Sequence, residues 1–463
     1  MWYFNQRVYD SDNAIKEMLQ MKKLKISMLG AGSGFVLSIA KELLNDPIFA
    51  DAEFMLMDPA ADRLEASKAA VAEVLAKAVH KINLKATTDR TEAVAGADYI
   101  ITSCEKNRYA NWVNDLRIPE KHDACQVKGE NGGPGGLIHG LRNICLYKDI
   151  VEDMEKYAPG AWLMNFTNPM SILCTYFKNY STVNALGFCH QVHGSFGLIA
   201  EQLGMEPGEL EVVTGGVNHF NWLFDIRKRN TRSSCMEEFL DGISKSKYWH
   251  ENFPNIPKQK FSLELMKIFG MYPVGYDDHV IEYLSCFYEP HEWQQFGYKS
   301  LAEYYENLAA KKSHTLEVQR LLGKTYTKPP FPVDPDHPYY AENPCKVISA
   351  LETNTPTYFD AINIVNHGAI GNIPSDVILD VPGIAIGGQV RSIYVGELPP
   401  GPRELIRRQT ALHELIAQAA YEGSDELVIQ ALCLDPYVRS ITQARAIWED
   451  FRKIYKEDLT TFR

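Results

Sequence analysis

Hydrophobic and polar positions in the first 190 residues switch repeatedly between the two regular periods. KISML at 25–29 is a compact apolar run with a β-branched residue, GAGSGF follows it at once, and VLSIAKELL carries apolar residues at helical spacing. EFMLMD reads as a buried strand ending in an acid, and DRLEASKAAVAEVLAKAV as a helix rich in Ala, Glu and Lys. ADYIITSC predicts a third strand, and GAWLMNFTNP and NALGFC two more. This alternation predicts an α/β fold with a parallel sheet covered by helices on both faces. Ahead of it, DNAIKEMLQMKK predicts a short amphipathic helix. Beyond residue 195 the alternation fades into long helical stretches, LAEYYENLAAKK and RELIRRQTALHELIAQAAYEG, and Pro-rich segments such as YTKPPFPVDPDHP. The expected organisation is an extension over 1–24, a Rossmann-like dinucleotide-binding domain over 25–194, and an α+β domain over 195–463. No internal repeat or low-complexity tract is visible.

Composition narrows the class. The 463 residues are 45% hydrophobic and 23% charged, with a formal net charge of −12. An acidic chain without a basic run predicts no nucleic-acid surface. No window of 18 apolar residues predicts a membrane span, and MWYFNQRVYD does not read as a secretory signal. Nine scattered cysteines make no disulfide framework and fit a reducing cytoplasm.

Chemistry enters at GAGSGF. Gly30, Gly32, Ser33 and Gly34 sit between a strand and a helix, where glycines let the backbone approach a pyrophosphate and the helix N-terminus stabilises its charge. The third glycine, Gly34, comes one residue earlier than the usual spacing. Asp58 ends the next strand, and an acid there accepts from a ribose 2′-hydroxyl and repels a 2′-phosphate, which favours NAD over NADP.

Further along lie GFCHQVHG at 187–194 and GGVNHFNW at 215–222. Cys189 has three readings: a nucleophile with His190 or His193 as base, a buried hydrophobe, or a metal ligand with His219 as its imidazole partner. Periodicity does not choose among them.

The order LGAGS, MDPAADRL, GENGGPGG, NFTNPM, GFCH, GVNHFNW, GYDDHVIEYL, INIVNHGAIGNIPSDVILDVP and GELPP resembles the NAD- and divalent-metal-dependent glycosidases of glycoside hydrolase family four, from Lys25 to about residue 450. That family is similar in fold to lactate and malate dehydrogenases. The resemblance implies that Cys189 and His219 bind Mn2+ or another divalent metal, that Gly30, Gly32, Ser33 and Asp58 hold NAD, and that Asn168 touches the sugar. It implies Asp277 as catalytic base, with adjacent Tyr276 keeping a tyrosine alternative open, and His190 or Glu130 as acid. Glu130, Asn131 and His190 would line the sugar pocket. The implied reaction is glycoside hydrolysis through oxidation at C3, deprotonation at C2, elimination, water addition and re-reduction. An unphosphorylated α-hexoside or α-hexuronide is the expected substrate; a 6-phospho-glycosidase, or a lactate/malate-dehydrogenase-like oxidoreductase, is the alternative, and a non-catalytic sensor a third. A homodimer or homotetramer is expected from the resemblance.

Three stretches depart from the family pattern: Asp278 stands where the aspartate branch has Arg, GFCHQVHG is one residue longer, and EKNRYANW replaces an Arg- and Gly-containing stretch. For a uronate carboxylate, Lys106, Arg108 and His193 are the candidate partners.

Overall fold

The computed structural model describes residues 22–245, 259–310 and 343–462. The helix expected from DNAIKEMLQMKK lies outside the described residues, as does the YTKPPFPVDPDHP segment.

The chain lays down β1 (Lys25–Leu29), β2 (Glu53–Met57), β3 (Asn83–Thr87), β4 (Tyr99–Thr102), β5 (Trp162–Asn165) and β6 (Asn184–Gly187). These pair in parallel in the order β3-β2-β1-β4-β5-β6. The order reverses at β1, which opens a crevice at the carboxyl ends of β1 and β4, where ligands of such sheets bind. Side-chain alternation gives the sheet two apolar faces. Ile26, Met28, Phe54, Leu56 and Ile101 enter one core, while Leu29, Met55, Met57, Ile100 and Leu163 enter the other. β3 was not anticipated. It is an edge strand, NLKAT, with no fully buried residue, so it carries no apolar run to read.

The later strands are β7 (Leu210–Val217), β8 (Phe220–Lys228), β9 (Pro273–Val274), β10 (Thr357–Val365), β11 (Ile378–Ile386) and β12 (Gln389–Ser392). They are antiparallel to their neighbours and extend the same sheet, because β10 pairs with β6. The expected division at residue 194 therefore meets no break: it falls within the helix Gln191–Leu203. The late helix Pro400–Glu422 also returns to the first half, its Leu412 and Ile416 sharing a core with Leu137 and Leu141 of the helix Gly133–Tyr157. Among the described residues no helix is long and apolar enough to cross a membrane.

Candidate active site

The glycine-rich turn, Asp58, Asn168 and Cys189 each follow a parallel strand, whereas the turn carrying Glu130 and Asn131 lies between the helices Arg108–Lys121 and Gly133–Tyr157. Gly30 leaves β1 at φ 78°, and a Cβ there would lie 2.2 Å from the Ser103 carbonyl oxygen beyond β4. Only glycine lets the two strand ends close this tightly. Gly32 donates its N–H to Asp58 Oδ2 at 2.9 Å, and a Cβ at 32 would stand 2.6 Å from that oxygen. Asp58 also accepts from Ala60 N–H at 2.9 Å and pairs with Arg63 at 3.2 Å. Gly34 caps the helix Phe35–Glu42 in ordinary α conformation, with no side-chain cap on its N–H groups. Ser33 Oγ is buried with no partner among the described residues. Open helix donors, an unpartnered hydroxyl and a crevice that excludes side chains suit a dinucleotide pyrophosphate.

Phe35, Phe166 and Phe188 tie three of these loops together, with ring centroids 5.1 and 5.5 Å apart. Phe188 thereby fixes the turn that carries Cys189 at the end of β6. His219 arrives from elsewhere. It is the second residue of the two-residue loop joining β7 to β8, where Val217 pairs with Phe220. Its φ of 69° is uncommon for a residue with a side chain. The loop brings His219 Nε2 to 3.2 Å from Cys189 Sγ. Two donors this close can touch one ion, given metal–sulfur and metal–nitrogen distances near ~2.3 and ~2.0 Å. A thiolate and an imidazole suit borderline divalent metals. Among the described residues no group of three His, Cys, Asp or Glu donors is arranged to hold a metal ion, so other positions would fall to substrate oxygens or water. Burial, reinforced by His279, holds the His219 imidazole well below its usual range and therefore neutral, the form that can ligate. The nine cysteines form no disulfide.

A buried ionic cluster adjoins this pair. Lys128 Nζ lies 3.0 Å from Asp278 Oδ2, 3.4 Å from Glu130 Oε2 and 2.7 Å from His279 Nε2. Glu282 accepts backbone N–H groups of Glu130, Asn131 and Gly132 at 2.6, 2.7 and 3.1 Å, while its other oxygen lies 3.0 Å from His279 Nδ1. One carboxylate thus shapes the GENGG turn and orients the histidine. The His279 ring lies against His219, with centroids 3.9 Å apart and planes tilted by 42°. Asn168 Nδ2 donates to Glu130 Oε1 at 3.0 Å, and Asn168 Oδ1 is buried with no partner among the described residues. Burial alone would raise the Glu130 carboxyl; Lys128 and then His279 outweigh it and hold it well below the usual range. Asp278 is lowered in the same way, with Lys128 the largest opposing influence on burial.

Asp277 does not join this cluster. Its carboxylate is 0% exposed and accepts Phe261 N–H at 2.8 Å, Ser262 N–H at 2.9 Å and Ser262 Oγ–H at 2.6 Å. It caps the helix Lys260–Phe269, and burial pushes it up to about 7 despite those donors. The expectation of Asp277 as a base meeting the sugar departs from this placement, since both oxygens are occupied by the helix. Asp278, with its side chain 31% exposed, faces the cluster instead. Tyr276 projects the other way: its hydroxyl lies 2.6 Å from where a Gly194 Cβ would stand, and Asp278 and Cys189 add to the burial that raises its phenol.

The remaining candidates are dispersed. His190 is exposed at the start of the helix Gln191–Leu203, 6.3 Å from the Phe35 ring. His193 is buried beside Phe196 and interacts with Asp360 and Asp380. Arg108 pairs with Glu105 at 3.4 Å and lies over the Trp112 ring at 4.5 Å, and Lys106 pairs with Asp458. Sequence reasoning missed Lys128, His279 and Glu282. The last two sit three apart in GYDDHVIEYL, a spacing that places side chains on one side of a helical turn; Lys128 has no such signal.

Residues 25–205 match the family 4 glycosyl hydrolases, and residues 214–438 match the C-terminal domain of the same enzymes. The chain is 29% identical to an α-glucosidase from Erwinia rhapontici, over 89% of this chain and 93% of that one. It is 28% identical to an α-galactosidase from Rhizobium meliloti (strain 1021), over 93% and 87%. The fold is shared with a 6-phospho-α-glucosidase from gut microorganisms solved in complex with NAD and Mn2+, with a TM-score of 0.74 at 21% identity over 94% of this chain and 99% of that chain. Two consecutive matches spanning both halves of the sheet identify the chain as a member of glycosyl hydrolase family 4.

Proposed function

We propose that this family member hydrolyses an unphosphorylated α-hexoside or α-hexuronide, using NAD and Mn2+ or another divalent ion as resident cofactors. The observation that carries the reading is the 3.2 Å approach of Cys189 Sγ to His219 Nε2 beside a dinucleotide crevice. The names of the curated α-glucosidase and α-galactosidase relatives support it. When bound, NAD supplies a reversible hydride acceptor for a sugar carbon, and the metal supplies Lewis-acid polarisation of neighbouring sugar oxygens.

The chain's own groups have separate duties. Asn168, held through Glu130, presents its unpartnered Oδ1 as an acceptor for a sugar hydroxyl. Asp278 is the base we favour over Asp277, because it is ionised and partly open while Asp277 is engaged by a helix. Lys128 bridges Asp278 and Glu130 and keeps two neighbouring carboxylates charged. Glu130, held ionised, has no proton to give at neutral pH, so protonation of the leaving group falls to exposed His190.

Lys106, Arg108 and His193 already have acidic neighbours. This supports a neutral hexoside over a uronide or a 6-phosphate, each of which needs a cation for its own charge. A thiol ligand outside any disulfide fits a reducing cytoplasm. We further propose a homodimer or homotetramer, for which exposed Leu434, Ile441 and Ile454 near the C-terminus offer apolar surface.

Nitrophenyl α-glycosides with catalytic NAD and Mn2+ test the reading. Nitrophenol release without NADH accumulation, and solvent deuterium at C2 of the product sugar, are the expected results. Stoichiometric NADH would point to a dehydrogenase, and cleavage indifferent to NAD and metal would overturn the proposal.

A further inference from the structure

Asn131 was expected to touch the sugar, yet its side chain is spent on the other ring nitrogen of His219. Asn131 Nδ2 lies 2.7 Å from His219 Nδ1, while Asn131 Oδ1 is buried with no partner among the described residues. With the amide in this orientation Nδ1 accepts, so the neutral ring carries its proton on Nε2 and directs it at Cys189 Sγ, 3.2 Å away. A ring in that tautomer offers no lone pair on Nε2 to a metal.

A half-turn of the Asn131 amide about its last bond reverses this. Oδ1 then accepts from Nδ1–H, Nδ2 takes its former place, and Nε2 presents its lone pair beside the sulfur. The exchange keeps the same volume and needs no backbone movement. The Asn131 backbone is already fixed by its N–H bond to Glu282 at 2.7 Å. His279, lying against the same ring, cannot replace Asn131 as the Nδ1 partner, since its own nitrogens face Glu282 at 3.0 Å and Lys128 at 2.7 Å.

We infer that Asn131 is a positioning residue for the metal: its amide oxygen holds His219 in the tautomer whose Nε2 ligates alongside Cys189. This inference rests on the metal site proposed above. Partners of this kind, hydrogen-bonded to a ligand histidine, are worth about 10–100-fold in metal affinity.

Mn2+ titration of the full chain with NAD, followed by the electron paramagnetic resonance of free Mn2+, tests it in wild type, Asn131→Leu, Asn131→Asp and Cys189→Ser. Asn131→Leu removes the acceptor at similar volume and should weaken Mn2+ by about 10–100-fold while leaving NAD affinity unchanged. Asn131→Asp keeps an acceptor and removes the donor; it should bind Mn2+ as tightly as wild type or more so. With Co2+ in place of Mn2+, it should show the wild-type sulfur-to-metal absorption band, which a new carboxylate ligand would alter. Wild-type affinity in Asn131→Leu, or loss in Asn131→Asp equal to that in Asn131→Leu, overturns the inference. Should Asn131→Leu not fold, the Asp variant decides alone, retention supporting the inference and loss overturning it. Mn2+ binding that requires Cys189 but ignores residue 131 sinks only this inference, whereas a wild-type chain that binds no Mn2+ sinks the functional reading beneath it.

Discussion

At the dinucleotide turn the working groups are mostly backbone and lie close together: Gly30 to Gly34 after β1, with Asp58 one strand away. Around His219 they are side chains drawn from positions as far apart as Lys128 and Glu282. The first region needs room and open N–H groups, so it is specified by what is absent from a few residues. The second gathers buried charges that stay ionised only because they face one another. Local substitutions should therefore weaken the first region in proportion, whereas removing one partner from the second should leave others uncompensated.

The largest effect is expected at Cys189→Ser. Glycoside cleavage should fall on the order of 10⁴-fold, as expected when Lewis-acid stabilisation worth several kcal/mol is lost, while NAD affinity measured by calorimetry stays unchanged. A parallel loss of NAD binding would mean that the two regions do not act separately. Next, Asp278→Asn should lower turnover by about 10²–10³-fold and also lower the melting temperature, because Lys128 then keeps only Glu130 as a close carboxylate. If Asp277→Asn produces that loss instead, the base lies where the family pattern alone would put it.

Glu282→Leu should destabilise the fold by about 3–5 kcal/mol in chemical denaturation, because the N–H groups of residues 130–132 and His279 lose one shared acceptor. Gly32→Ala should be milder. Its Cβ would push against Asp58, and we expect roughly a tenfold loss of NAD affinity, about 1.4 kcal/mol, with the metal site intact.

The smallest effect concerns pH. The folded-state pKa of Asp277, raised to about 7, lies above its unfolded value of ~3.9. Folding then favours its protonated form, so this contribution to stability is fully present below about pH 4 and is lost as pH rises through about 7. Asp277→Asn should remove that slope at a cost of about 1–2 kcal/mol for the altered helix cap. An unchanged pH slope of stability would show that Asp277 is not the group responsible.

Much of the first region was legible in the chain. KISML, GAGSGF and EFMLMD stand as strand, turn and strand in order, because parallel strands buried on both faces must be apolar runs and the turn between them must be glycine. The polar edge strand β3 was hidden for the converse reason. Legibility fell at the boundary between the halves, since β10 pairs with β6 through Asn363 and Gly187, far apart in sequence, and periodicity carries no information about such a partner.

The sequence by itself determined which residue types were available and, through motif order, the family to which they belong. Tertiary structure alone decided how the adjacent acids divide, with Asp277 turned to a helix and Asp278 to Lys128. Neighbours along a turn project in different directions, and which direction meets solvent, helix or cation depends on segments that the local pattern never mentions. The same holds for His219, whose left-handed loop position meets Cys189 only because β7 and β8 join the sheet that β6 helps to build.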